Sequence, residues 1–291
     1  MSKRILLLLC AALTFAVPSQ ARTIVALLSD YGRDDGRIGQ AHARLLAADP
    51  SIEVIDLGHQ LPEEGRLEWA ALALRNARRL PPNTIVIACV DEAAAEEAPI
   101  VFRSQRGFYF LGPDNGVLSW ALEDQGIFRA MRIEASKVNL SYHAGDSVLL
   151  DLLCPAAAQL VKAGGDLTTI GSALDPAAPA RLPTPSATVA PATHEIVGQV
   201  LHASVERGEV WTNVTREDLD LAGIRVGDDF SLALGEDGSG VGARSLTLAR
   251  ADLANAPAVC LPALGVLILR GEAGHPPLPS GATFELSLRK P

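Results

Sequence analysis

The sequence predicts an α/β domain, with a mostly parallel sheet and flanking helices, followed by a small antiparallel β-barrel or sandwich domain. Two observations predict this order. In the first half, nearly continuous apolar runs alternate with stretches of helical pattern, which is typical of parallel strands covered on both faces. In the second half, short apolar runs are separated by Gly, Asp and Pro, which indicates antiparallel strands joined by turns.

The elements of the first half alternate along the chain. The long amphipathic helix over residues 63–80 is expected to end at Pro81-Pro82, and Pro155 must kink or break the last helix, because proline disrupts a helix interior. In chain order, the expected elements are strand 23–29, helix 39–48, strand 52–57, helix 63–80, strand 85–90, a hairpin of 100–103 and 107–111, helix 117–122 and helix 147–163.

A segment rich in Pro, Ala, Ser and Thr separates the two halves. It covers residues 182–193 and shows no periodicity, which predicts a linker. We therefore expect an α/β domain over residues 22–182, a linker over 183–193 and a β domain over 194–291. The short strands expected in the β domain cover residues 195–203, 208–214, 229–234, 245–249, 265–270 and 282–288.

Residues 1–21 have the pattern of a secretory signal. A basic start with Lys3 and Arg4 precedes an apolar stretch over residues 5–17, and Ser19-Gln20-Ala21 is suited to cleavage. Pro18 interrupts the apolar run short of the roughly 18–20 residues that span a bilayer. We expect a periplasmic or secreted protein that has no membrane association after signal cleavage.

The composition argues against several kinds of partner. A chain of 291 residues with 48% hydrophobic content can bury a core, and its net charge of −9 disfavours nucleic acid and anionic membranes. Cys89, Cys154 and Cys260 remain after signal cleavage, without the Cys-x-x-Cys spacing or nearby His cluster of a zinc site. No metal is expected. A disulfide between two of the three stays open, since the sequence cannot choose the pair.

Acidic side chains follow the ends of predicted strands. Asp30 comes directly after the first strand, Asp91 after the third, and Asp114 after the second strand of the hairpin. The carboxyl edge of an open α/β sheet forms the crevice in which ligands bind, so acids placed there can be hydrogen-bonded to a polar substrate. The sequence therefore predicts one ligand site at this edge.

Four short motifs carry a resemblance to a known family. They are Ser29-Asp30-Tyr31-Gly32, residues 55–59 (Ile-Asp-Leu-Gly-His), Val90-Asp91 and residues 113–116 (Pro-Asp-Asn-Gly). In this order and spacing, the first half resembles the S-adenosyl-L-methionine (SAM) hydroxide adenosyltransferase family, which includes fluorinases and chlorinases. The resemblance implies the two-domain fold that the pattern predicts independently.

The resemblance also implies a reaction. Family members add water or halide to the ribose C5′ of SAM and release methionine, without a metal or redox cofactor. It implies a small-molecule nucleoside substrate and a homotrimer whose sites lie between the first domain of one subunit and the second domain of its neighbour. We therefore expect an exported SAM hydrolase that forms adenosine and methionine.

The resemblance assigns roles to individual residues. Asp30 is expected to accept hydrogen bonds from the ribose hydroxyls, and Asp91 matches the acid of an Asp-Arg-His set that orients the attacking water. Asp114, Asn115 and Asn213 are assigned to substrate binding, with Asn115 expected in a left-handed turn that shapes the pocket wall. His143 is the preferred match for the histidine, although a second register places Val148 there.

The chain also departs from the family pattern. Residues 92–98 contain no arginine, so the cation of the set is missing and Arg103 is the nearest one downstream. In the second domain, residues 205–209 keep only the glycine of a motif that helps to hold adenine and methionine. These departures favour an alternative, a catalytically inactive periplasmic protein that binds an adenosine-like ligand or serves in assembly.

Three further expectations concern individual residues. His59 is expected to fix the loop after the second strand rather than to transfer protons. A hydrolase that uses Ser29 or Ser141 as nucleophile is disfavoured, because the sequence has no Gly-x-Ser-x-Gly elbow. Trp211 can stack on a purine or lie in the core.

Overall fold

The computed structural model describes residues 22–63, 65–95, 97–143, 145–234, 244–250, 258–261, 266–271 and 281–288. The predicted signal segment and several loops of the β domain lie outside these ranges. Within these ranges, no helix has both the length and the apolar character that a membrane span requires.

The described part of the first domain forms a sheet of seven strands in the order β2-β1-β3-β5-β4-β6-β7. β1, β2, β3 and β5 are mutually parallel, whereas β4, β6 and β7 pair antiparallel. The bounds are β1 Thr23–Ser29, β2 Ile52–Gly58, β3 Ile85–Cys89, β4 Ile100–Ser104, β5 Tyr109–Gly112, β6 Ile127–Ile133 and β7 Gly171–Ala173. The predicted α/β architecture and the hairpin of β4 and β5 are confirmed.

Helices cover both faces of this sheet. They are α1 Gly36–Ala48, α2 Arg66–Arg75, α3 Ser119–Gln125, α4 Ala135–Val138 and α5 Cys154–Lys162. A 3-10 turn over Asn76–Arg79 continues α2, so the helix expected over residues 63–80 is shorter and in two parts. Pro155 lies in the first turn of α5, directly after a π-helical turn over Val148–Leu153. The helix expected over residues 147–163 therefore changes geometry before this proline, and the helical stretch continues through it.

The alternation of side chains along β1 explains its nearly continuous apolar run. Val25 and Leu27 pack into one core cluster with side chains of α1 and α5. Ala26 and Leu28 pack into a second cluster with α2 and α3 on the opposite face. Because successive strand residues point to opposite faces, a sheet covered on both sides requires apolar residues at every position.

In the described part of the second domain, eight strands form a sheet that curls back on itself. The strands are β8 Thr188–Ala190, β9 Glu195–Ser204, β10 Glu209–Thr215, β11 Asp229–Leu234, β12 Arg244–Arg250, β13 Ala258–Leu261, β14 Val266–Arg270 and β15 Thr283–Leu288, with α6 Arg216–Ala222 after β10. The first half of β9 pairs with β8 and β15, and its second half pairs with β10. Apart from the parallel pair of β12 and β13, the pairing is antiparallel, as the sequence predicts.

The two domains contact each other through α2 and β10. The ring centroids of Trp69 and Trp211 lie 6.0 Å apart, and Leu72, Trp120 and Ile268 belong to the same buried cluster. Trp211 is therefore a core residue at the domain contact. β8 lies inside the segment expected to be a linker, where it adds a short edge strand to β9.

The described thiols are buried. Cys89 and Cys154 are both free, so neither forms the disulfide that the sequence left open. Burial raises the pKa of both thiols, that of Cys154 to about 12, which keeps them protonated.

Candidate active site

Asp30 and Asp91 meet at the carboxyl edge of the first sheet. β1 and β3 are parallel neighbours, with Ser29 paired to Cys89, so the residues that follow these two strands lie side by side. The Asp30 carboxylate, with a side chain only 12% exposed, accepts a hydrogen bond of 3.0 Å from the backbone N–H of Asp91. The structure therefore brings these two predicted site residues together.

Arg66 supplies the second partner of Asp30. Its Nη1 atom donates to Asp30 Oδ2 at 2.9 Å, so both hydrogen bonds converge on the same carboxylate oxygen. The sequence pattern does not indicate this residue, because the helix expected from it begins three residues earlier. Gly65, which adopts the left-handed φ of 66°, sets the start of α2 at Arg66, and this glycine was the available signal.

Asn115 holds the turn that contains Asp91. Its Nδ2 atom donates to the carbonyl oxygens of Val90 and Asp91, both at 2.9 Å. The expected left-handed backbone at Asn115 is wrong, since Asp91 (φ 48°) and Gly116 (φ 94°) have positive φ here and Asn115 does not. The left-handed turn at Asp91 is stabilised by the two bonds from Asn115, which fix the chain beside Asp30.

Asp91 presents a carboxylate at this edge. Among the described residues, none donates a hydrogen bond to its side-chain oxygens. Asp30, by contrast, is held in place by Arg66 and by the Asp91 amide. One acid is therefore fixed by the protein, while the other is available to a ligand or to water.

Asp114 accepts hydrogen bonds from two other segments of the chain. Its Oδ2 atom accepts from Arg132 Nη2 at 3.0 Å and its Oδ1 atom from the Ala180 N–H at 2.8 Å, with a side chain 6% exposed. These contacts connect the end of β5 to β6 and to the chain leading out of the first domain. Asp114 therefore supports the loop that positions Asn115.

Asn213 and His143 lie apart from these contacts. Asn213 is buried in the wall of the second domain, where its Oδ1 atom accepts from the Gln199 N–H at 2.7 Å. The His143 side chain is 80% exposed and its Nδ1 atom lies 3.9 Å from Asp146 Oδ2. Val148, the alternative match, packs against the first core cluster. The structure does not bring either match into contact with Asp91.

His59 fastens the loop that carries Asp30. Its Nδ1 atom lies 2.8 Å from the buried Ser29 Oγ, and its carbonyl oxygen accepts from the Gly32 N–H at 2.7 Å. Burial acts to raise the pKa of Asp56, but hydrogen bonds from His42 and His59 outweigh it and lower that pKa. These contacts connect the loop after β2, which His59 is expected to fix, to the loop after β1 that carries Asp30.

Tyr31, Cys89 and Glu92 form a hydrogen-bonded triangle beside the two aspartates. Glu92 Oε2 lies 3.0 Å from the Tyr31 hydroxyl and 3.1 Å from Cys89 Sγ, which are 3.2 Å from each other. Burial raises the pKa of Tyr31 far above its ordinary value, and that of Cys89 also rises. Both groups therefore stay protonated and donate to the carboxylate. Tyr31 belongs to the first motif, and Cys89 and Glu92 flank the third, but no spacing rule indicates the triangle.

Arg103 does not replace the missing arginine. It pairs with Tyr109, the first residue of β5, so it lies at the amino edge of the sheet and not at the edge that carries the acids. Among the described residues, the guanidinium groups placed around the acids include Arg66 at Asp30, Arg132 at Asp114 and Arg37 over the Tyr31 ring.

Together, the fold and these contacts define an α/β protein with two adjacent carboxylates at the carboxyl edge of its sheet, the edge at which such sheets bind ligands. A sequence profile of the SAM hydroxide adenosyltransferase N-terminal domain matches residues 25–171. The chain belongs to this family.

Individual relatives match different shares of the chain. The chain is 23% identical to a fluorinase from Actinopolyspora mzabensis, over 74% of this chain and 79% of that enzyme. It is 27% identical to an (R)-S-adenosyl-L-methionine hydrolase from Methanocaldococcus jannaschii, over 42% of this chain and 49% of the hydrolase. The structure of an uncharacterized conserved protein from Thermotoga maritima matches with a TM-score of 0.74 and 24% identity, over 90% of this chain and 99% of that one, which shows a shared fold.

Proposed function

We propose that this protein hydrolyses SAM to adenosine and methionine by attack of water on the ribose C5′. The observation that carries the proposal is the junction of Asp30 and Asp91 at the carboxyl edge of the family domain. The named relatives include SAM hydrolases and fluorinases, and both names agree with chemistry on SAM.

The reaction needs positioning more than acid catalysis. The C5′–S bond breaks with its electron pair passing to the neutral methionine sulfur, the water oxygen bonds to C5′, and one water proton leaves to solvent. Asp30 is suited to anchor the ribose hydroxyls, because Arg66 and the Asp91 amide already fix its orientation. The Asp91 carboxylate is suited to orient the water.

A second candidate is binding of an adenosine-like ligand without turnover. It is favoured by one observation: within the described ranges, no arginine contacts Asp91, and His143 is 80% exposed. The family set that polarises water is therefore incomplete within one chain.

Export and assembly form part of the proposal. We expect the mature protein to act in the periplasm or outside the cell, without a metal or redox cofactor, and as a homotrimer. N-terminal sequencing of the protein recovered from the periplasmic fraction tests cleavage after Ala21. Light scattering of the purified mature protein tests the trimer, and a monomer that turns over SAM would contradict it.

The decisive experiment is incubation of the purified mature protein with SAM, with chromatographic detection of adenosine and methionine. Asp30→Ala is expected to abolish product formation, while Asp34→Ala, which removes an exposed carboxylate from the same loop, is expected to leave it unchanged. Saturable SAM binding by calorimetry, without product, would support the binding function instead. Neither binding nor product would exclude both.

A further inference from the structure

Two consecutive contacts join the loops that follow β1 and β3. Asp30 accepts from the backbone of Asp91, and the next residue on each loop continues the pairing, as the Tyr31 hydroxyl donates to Glu92 at 3.0 Å. Glu92 therefore lies at the same sheet edge as the two aspartates, one residue further along.

The triangle of Tyr31, Cys89 and Glu92 fixes a carboxylate in one orientation. Both donors reach the same oxygen, Oε2, and among the described residues no donor reaches Oε1. Arg37 covers the Tyr31 ring at 3.6 Å while its guanidinium is held by Asp35, so the tyrosine is braced from the other side. Because two fixed donors saturate one oxygen, the other oxygen is the one that can accept from a ligand.

The negative charge of Glu92 bears on the choice of nucleophile. A fixed carboxylate accepts a hydrogen bond from water, whereas it repels a chloride or fluoride ion, and the repulsion is stronger beside the partly buried Glu92 than in bulk solvent. The Asp30 and Asp91 carboxylates add to the same field, in which Arg66 is paired with Asp30, and Arg37, over the Tyr31 ring, is paired with Asp35. The electrostatics of this edge therefore disfavour a halide and are compatible with neutral water and with a sulfonium cation.

We propose that Glu92 is a catalytic and specificity-determining residue, which accepts a hydrogen bond from the attacking water and excludes halide from the nucleophile position. This proposal rests on the proposed function. In the step, the O–C5′ bond forms while the C5′–S bond breaks, the electron pair leaves with methionine sulfur, and the water proton passes to Glu92 Oε1 and then to solvent.

The test compares Glu92→Gln with Glu97→Gln, a control that removes the same charge from a side chain 70% exposed in the same loop. Adenosine formation is measured against SAM concentration, with and without high chloride or fluoride, and 5′-halo-5′-deoxyadenosine is assayed in parallel. SAM binding by calorimetry establishes that each variant is folded and binds substrate.

We expect Glu92→Gln to lower kcat about 100-fold, the range of one positioned proton acceptor, with KM nearly unchanged. It should also become sensitive to halide, through inhibition or through halogenated product, whereas the native protein and Glu97→Gln should not. Native kinetics and native halide insensitivity in Glu92→Gln would overturn the role of Glu92 while leaving the hydrolase intact. Absence of adenosine from the native protein would overturn both proposals together.

Tyr31→Phe provides a second, milder variant. It removes one donor to Glu92 and leaves the negative charge of Glu92 in place. Cys89 still donates to the same oxygen. We expect halide exclusion to persist and kcat to fall less than in Glu92→Gln. A halide-sensitive Tyr31→Phe enzyme would show that orientation, and not charge, sets the selectivity, and would overturn the charge argument.

Discussion

At the carboxyl edge of the first sheet, the Arg66 guanidinium and the Asp91 backbone amide both donate to the Asp30 carboxylate, whereas at the amino edge Arg103 lies 5.5 Å from the ring centroid of Tyr109 and 5.3 Å from that of Phe128. A cavity of about 420 Å³ opens at the amino edge, lined in part by Arg22, Arg103 and Gly164. A cavity alone thus does not locate the site. The groups that can anchor a ribose and orient water lie at the other end of the same strands.

The difference has a cause in the chain path. Each parallel strand ends at the carboxyl edge and passes into a polar loop, so the loops after β1, β3 and β5 lie side by side. At the amino edge, strands begin after helices or tight turns, and the side chains there stack without converging on one point. The arrangement of loops, more than the volume of a groove, places the functional groups.

The strongest test of this difference between the two sheet edges compares the variant Asp91→Asn with the variant Arg103→Gln. Asn tolerates the left-handed backbone at position 91, so the change removes charge without strain. We expect the SAM hydrolysis rate to fall about 100-fold or more in Asp91→Asn and to stay native in Arg103→Gln. A loss of activity in Arg103→Gln, measured with the same chromatographic assay, would mean that the amino edge takes part in turnover.

A second test concerns how the acid edge is held. His59→Ala leaves the Ser29 hydroxyl buried at 1% exposure without its partner, which costs about 1–3 kcal/mol of unfolding free energy. Urea unfolding measures this loss. Because Ser29→Ala removes the unpaired hydroxyl as well, the double variant should recover part of the stability. Equal stability of His59→Ala and the native protein would mean that the loop does not depend on this contact.

The strands that the sequence predicts best are those with continuous apolar runs. The strand predicted over residues 23–29 and the one over 229–234 match β1 and β11 because turn residues bound them clearly. β6 was missed, since the exposed Phe128 and Arg129 break its pattern. α6 was missed although Thr215 and Asp218 form a capping box, a signal that the sequence contains.

The residues of the candidate site also differ in how far the sequence predicts them. The meeting of Asp30 and Asp91 could be predicted, because strand ends of a parallel sheet share an edge. The partner Arg66 could not, since its place depends on where α2 begins, and the triangle at Glu92 depends on loop conformations set by the left-handed Asp91. Side chains fixed by strand register were thus predictable, and those fixed by loop geometry were not.

A third test sharpens the role of Arg66. Arg66→Ala removes one of the two donors to Asp30, and the Asp91 amide remains. Because the Arg66 side chain is 35% exposed and screened by solvent, we expect a loss in kcat/KM of only about tenfold. Arg75→Ala on the same helix, 36% exposed, is the matched control and should keep native kinetics. Equal losses in both variants would point to a general effect on α2.

The smallest effect concerns the outer brace of the acid edge, where Asp35 pairs with Arg37. Hydrogen bonds from the Arg37 side chain and backbone lower the pKa of Asp35 from 3.8 to about 2. Since the folded pKa lies below the unfolded one, this contribution to stability is present above pH about 4 and is lost as pH falls towards about 2. Asp35→Asn should therefore show a weaker pH dependence of its urea midpoint in this window than the native protein. Asp34→Asn, which changes the exposed neighbouring residue, should keep the native pH dependence. An unchanged slope in Asp35→Asn would mean that Arg37 is held over Tyr31 by the ring alone, and the bracing of the Glu92 triangle would then not depend on Asp35.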